Sequence, residues 1–189
     1  MVVSMLDSSE TDPLFIMDRR LVSFKQKIGY NEAIKKEKRD GLIDIDFTKL
    51  KAPPFATQWP DERGWSVNEI DQMGGHHYFH SGMRGIYGNA FIEAKVFENY
   101  DSAQKEFFLT AGSASISELP WVACTKKIGT LCARDKRKLW VFFVYKNVII
   151  EVERMGNEHG HDDFAEVLSE WLFEALKAAP RRPFVSNKR

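Results

Sequence analysis

Residues 139 to 152 read LWVFFVYKNVIIEV, two runs rich in β-branched and aromatic side chains, separated by Lys146 and Asn147. Such runs are strands, and a two-residue polar break joins them as a hairpin. A hairpin this apolar is unstable alone in water, so it must lie inside a larger sheet and be covered. The segment from Asp163 to about Lys177 supplies the cover. Asp163 and Glu166 have capping-box spacing, and Phe164, Val167, Leu168, Trp171, Leu172, Ala175 and Leu176 form one broad apolar face. Pro180 ends the helix.

The rest of the chain alternates between strands and helices. Residues 1–11 are polar and without periodicity, which predicts a flexible N-terminus. Asp12 and Pro13 resemble a helix start, and Leu14, Met17, Leu21, Phe24 and Ile28 recur at helical spacing before Gly29. The competing reading makes 13–28 a hairpin of two short strands. Lys35 to Asp40 reads as a charged turn. Ile43, Ile45 and Phe47 alternate with Asp44, Asp46 and Thr48, the period of a half-buried strand. Residues 51–64, with Pro53-Pro54 and Trp59-Pro60, read as a loop, and Trp65 to Met73 as a strand.

His76–Ser81 and Gly85–Phe97 then predict two strands turning around Gly82-Met83-Arg84. In the second, Ile86, Ala90, Ile92, Ala94 and Val96 fall on one side; Tyr87, Phe91, Glu93, Lys95 and Phe97 fall on the other. Asp101 to Ala111 predicts a helix capped by Asp101 and Gln104 and closed by Gly112. Short strands at 121–124 and 130–133 precede the apolar hairpin. The layout is α+β: a mainly antiparallel sheet packed on one face by two or three helices, as a two-layer or an α/β/α sandwich. Residues 12–178 form the single domain, and 179–189 form a basic tail carrying Arg181, Arg182, Lys188 and Arg189.

Composition narrows the function classes. The 189 residues suit one domain, and 14 Phe, 5 Trp and 5 Tyr argue against whole-chain disorder. Lys plus Arg and Asp plus Glu both total 27. A neutral chain has no global field for nucleic acid or anionic lipid, so no nucleic-acid partner is expected. No apolar run approaches membrane-spanning length, so no membrane insertion is expected. No signal peptide is visible, which points to the cytoplasm. Cys124 and Cys132 flank a turn-like stretch near Ile128-Gly129, however. A cross-strand disulfide there would imply export, with a signal peptide lying outside this sequence; two half-buried thiols are the other reading.

No motif with a chemical mechanism stands out, so the chain reads more as a binding domain than as an enzyme. No phosphate-binding loop and no G-x-S-x-G elbow occurs. His76, His77 and His80 cluster in GGHHYFH, and His159 and His161 sit beside Asp162 and Asp163. His76 and His80 with His159, His161 or Asp162 would complete a site for a divalent metal such as zinc, if the two segments meet. Otherwise no cofactor is implied. Carboxylate pairs such as Asp44 with Asp46 or Glu151 with Glu153 read as a solvated sheet face.

Binding candidates are the turn around Arg84 and Tyr87, where an Arg stands among apolar and aromatic residues, and the Trp59 and Trp65 loop. Helices confined to one face would leave the opposite sheet face open for recognition.

From Phe91 onward the order is amphipathic strand, helix with Ala103 and Phe107, strand turning at Ile128-Gly129, hairpin with YKNVIIEV, and closing helix. This order resembles the second half of PsbP/Mog1-like domains and of bacterial domains of similar layout. The resemblance implies an α/β sandwich used for docking or ligand binding, mostly without catalysis. The expected function is a non-catalytic binding or accessory domain for a protein or small ligand, acting through the open sheet face or the Gly82–Gly88 turn. The alternative is a metal-binding protein or metal-dependent enzyme using the histidines. An oligomer is compatible with either.

Overall fold

The computed structural model describes residues 21–50, 53, 65–70, 81–87, 90–115, 122–124, 126–135, 139–154 and 164–183. Residues 21–27 are helical (α1), followed by α2 (Tyr30–Lys36), α3 (Tyr100–Ser115) and α4 (Phe164–Ala178). The strands are β1 (Leu42–Ile43), β2 (Trp65–Ile70), β3 (Ser81–Tyr87), β4 (Ala90–Val96), β5 (Val122–Ala123), β6 (Leu131–Arg134), β7 (Trp140–Tyr145), β8 (Val148–Arg154) and β9 (Arg181–Arg182). Seven strands make one antiparallel sheet in the order β2-β3-β4-β8-β7-β6-β5, and β1 pairs separately with β9. The apolar hairpin β7–β8 thus lies inside the sheet, with β8 its central strand.

Side-chain alternation sorts that hairpin into two cores. Val141, Phe143, Val148, Ile150 and Val152 join Ala90, Ile92, Ala94 and Val96 of β4 beneath Phe164, Ala165, Leu168, Leu172 and Leu176 of α4. Phe142, Val144 and Ile149 point the other way, with Leu131 and Ala133 of β6. They meet Phe24 of α1 and Ala103, Phe107, Phe108 and Ala111 of α3. Helices therefore pack on both faces, giving the α/β/α form. The face opposite α4 is not left open over β6, β7 and the start of β8. β7 and the start of β8 are apolar without alternation because both faces are roofed there.

Several local expectations change. Residues 21–27 are helical, and Leu21, Phe24 and Ile28 pack toward α3, so over these residues the helix reading holds against the hairpin. Residues 13–20 lie outside the described set. Gly29, at φ 66°, ends α1, but α2 starts directly after it and takes up part of the predicted charged turn. The strand expected over Ile43–Phe47 stops after Ile43. Asp44 donates its N–H to the Pro180 carbonyl, and Phe47 turns inward on a 3₁₀ turn, Phe47–Lys49. Its partner is the start of the basic segment: Leu42 pairs with Arg182 and Ile43 with Arg181.

The turn predicted at Gly82-Met83-Arg84 is continuous strand β3, paired with β2 and β4 throughout. Tyr87 pairs in register with Ala90 and Ile86 with Phe91, the reverse of the predicted sides. The strand expected over Gly85–Phe97 is two antiparallel strands. Because the chain reverses between Tyr87 and Ala90, counting along one strand no longer tells which residues share a face. Helix α3 is capped by Asn99, whose Oδ1 accepts the Ser102 N–H at 2.8 Å, and it continues past Gly112 to Ser115. Asp101 and Gln104 form no capping box. Asp101 pairs with Arg39, and Gln104 donates to Glu37.

Candidate functional site

The turn of the central hairpin carries unusual chemistry. Lys146 is the only non-glycine residue with positive φ among the described residues, at 56°. That conformation costs an L-residue roughly 1 kcal/mol and usually falls to Gly or Asn. Its side chain is only 5% exposed. A buried ammonium is tolerated only when bonded, and Lys146 donates to the carboxylate of Asp40 and, at 2.8 Å, to the Lys38 carbonyl. The rings of Tyr100 and Tyr145 flank it, with Nζ 5.6 and 5.8 Å from their centroids. The hydrogen bond from Lys146 holds the Asp40 carboxyl below its ordinary pKa.

Asn147 completes the clamp. Its Oδ1 accepts the Ile43 N–H at 2.6 Å, and its Nδ2 donates to the carbonyls of Ile43 and Phe97 at 3.2 and 3.0 Å. The Tyr100 hydroxyl donates to the Gly41 carbonyl at 2.7 Å. Segment 38–43 is thereby fastened to the hairpin turn and to the start of α3. Between α2, this segment, residues 127–130 and α4 opens a cleft of about 500 Å³, within the range of small-molecule sites.

On one side of the cleft, Glu37 accepts from the Thr130 hydroxyl at 2.6 Å and from Gln104 at 2.9 Å. On the other stand Tyr145 and Phe173, edge to face with centroids 5.0 Å apart. Lys36, Lys38 and Lys127 line its exposed rim.

The wall at residues 127–130 is held from several directions. Ile128 is buried, the Thr130 N–H donates to the Val144 carbonyl at 2.7 Å, and Lys126 bonds Glu166 and Glu170 of α4. Glu166 thus makes a tertiary bond; its expected capping partner, Asp163, lies outside the described residues. Gly129 has φ 68°, and a Cβ there would stand 2.6 Å from the Val144 carbonyl oxygen. A disulfide joins Cys124 to Cys132 across the base of this loop, so neither is the half-buried thiol of the alternative reading.

A second cluster lies on the α3 side of the sheet. Glu93 and Glu151 are register partners on β4 and β8. Lys95 Nζ stands 3.5 Å from Glu93 and 3.7 Å from Glu106 of α3, and these three side chains are 8 to 17% exposed. Burial raises the Glu151 pKa to about 7, partly opposed by Lys95 and reinforced by Glu93, Glu106 and Glu153. Glu151 is therefore not on a solvated face, as the carboxylate pattern suggested; Glu153 is the exposed member of that pair. In register, the row continues through Glu93 to Arg84 and Asn68.

Of the binding candidates, Trp65 opens β2 and Tyr87 closes β3 as direct register partners, and Arg84 lies mid-strand. Trp59, His76, His80, His159, His161 and Asp162 fall outside the described residues. Among the described residues, no group of three or more His, Cys, Asp or Glu is placed to hold a metal ion, and no helix is long and apolar enough to cross a membrane. The cleft residues escaped the sequence reading, although the KKEKRD run and a Lys where hairpin turns favour Asn or Gly were signals. Comparison with protein-family models, curated proteins and solved structures finds no match to this chain.

Proposed function

We propose that this chain is a non-catalytic binding domain whose ligand site is the cleft between α2 and α4, at the turn of the central hairpin. The observation that carries this reading is Lys146. A buried, left-handed lysine is an expensive way to close a hairpin, and such costs concentrate where a site is held in place. Here it fixes segment 38–40 as one wall, while Glu37, Thr130, Tyr145 and Phe173 set polar groups and an aromatic surface around a cavity of ligand size. With helices over both faces of β7 and β8, this end of the sheet replaces an open sheet face as the place of recognition.

A small-fragment library screened by chemical-shift perturbation on the ¹⁵N-labelled chain tests the reading. Compounds that move the amides of Gly129, Thr130 and Lys146 together support it. Hits confined to other surfaces, or no hits, refute it. The Cys124–Cys132 bridge supports the exported reading over the cytoplasmic one, since such bonds persist in oxidising compartments. Thiol titration of denatured protein from native cells, finding no free groups, is the expected result; two free groups would return the chain to the cytoplasm.

A further inference from the structure

We infer that the cleft takes a small anionic molecule bearing a flat ring, its anionic group at the lysine rim and its ring against Tyr145 and Phe173. The inference rests on the cleft being the binding site and adds the chemistry of the occupant. Of the carboxylates lining the cleft, Asp40 is committed to Lys146, and Glu37 to Thr130 and Gln104. Lys36, Lys38 and Lys127 are exposed on the rim, and among the described residues no carboxylate is bonded to them. The remaining lining carboxylate, Glu32, stands one helical turn before Lys36.

The aromatic wall adds positive charge behind it. That charge is Arg181, 5.5 Å from the Tyr145 centroid; Lys177, 5.0 Å from that of Phe173, is paired with Glu174 at 2.5 Å. In a chain of zero formal charge, this local excess of cations around a concave surface selects an anion. The half-buried Tyr145 and Phe173 offer ring edges and faces to a planar group. The volume, about 500 Å³, suits one small molecule and is too small for a folded partner.

The test uses four probes on the full chain: phenyl phosphate, inorganic phosphate, phenol and benzylamine, titrated by ¹H–¹⁵N shifts. Phenyl phosphate is expected to saturate the Gly129 and Thr130 amides with a Kd about tenfold below that of inorganic phosphate or phenol. A K36E/K127E variant, altering only exposed side chains, is expected to weaken it about tenfold again with the melting temperature unchanged. Benzylamine or phenol binding in the cleft as tightly as phenyl phosphate would overturn the anion inference and leave the cleft reading standing. Unmoved cleft amides with all four probes would overturn the inference. If the fragment screen is also silent there, the cleft reading falls with it.

Discussion

Two buried polar side chains have opposite energetic consequences. Asn147 is fully buried and satisfies three backbone groups from two distant segments. Truncation in Asn147→Ala leaves those groups unpaired away from water, so a loss of about 2–4 kcal/mol in urea unfolding is expected. Glu151 is a cost that depends on pH. Its folded-state pKa, about 7, lies above the ordinary 4.5, so between these values the folded chain binds more protons than the unfolded one. The stability it contributes is full below about pH 4.5 and is lost as the pH rises through 7. Glu151→Gln is expected to raise stability at pH 8 by on the order of 2–3 kcal/mol while changing little at pH 4.5, measured by urea unfolding at the two pH values. Neither role was legible in the chain. Asn147 reads as an ordinary turn residue and Glu151 as one of many alternating carboxylates. The groups that bond or charge them come chiefly from distant residues, Ile43 and Phe97 for Asn147 and Lys95, Glu93 and Glu106 for Glu151.

At the level of elements, the strands and helices with strong periodicity formed where the pattern put them. β7, β8, β4 and α4 match their apolar runs because each buries what its own period exposes. The misplacements share another cause. The 82–84 turn was read from Gly residues that sit instead within a paired strand, and the strand over 43–47 was cut short because β9, its partner, is only two residues long. The two-sided roof of the hairpin is open to a direct check. Phe107→Ala on α3 and Leu172→Ala on α4 each empty a fully buried site on opposite faces. Both are expected to cost about 3–5 kcal/mol in chemical denaturation. Were Phe107 on a solvent-facing helix, its replacement would cost under about 0.5 kcal/mol.

For the molecule as a whole, the disulfide closes a short loop, with a sequence separation of eight, and so removes modest entropy from the unfolded chain. A C124S/C132S variant is expected to lose about 2.5 kcal/mol yet to fold, because Ile128, Thr130 and Lys126 anchor the same loop independently. Thermal and urea unfolding of that variant, with the Thr130 amide shift retained, is the check. By itself the sequence determined the α+β class, the central apolar hairpin and its α4 cover. Those follow from hydrophobic period and chain-local turn chemistry, which neighbouring residues supply. Only the tertiary structure decided that α1 and α3 roof the second face, that Lys146 and Asn147 knot segment 38–43 to the hairpin, and that a lysine-rimmed cleft opens beside them. These are meetings of residues far apart in the chain, and a one-dimensional pattern holds no record of which distant groups share a dielectric, a hydrogen bond or a cavity.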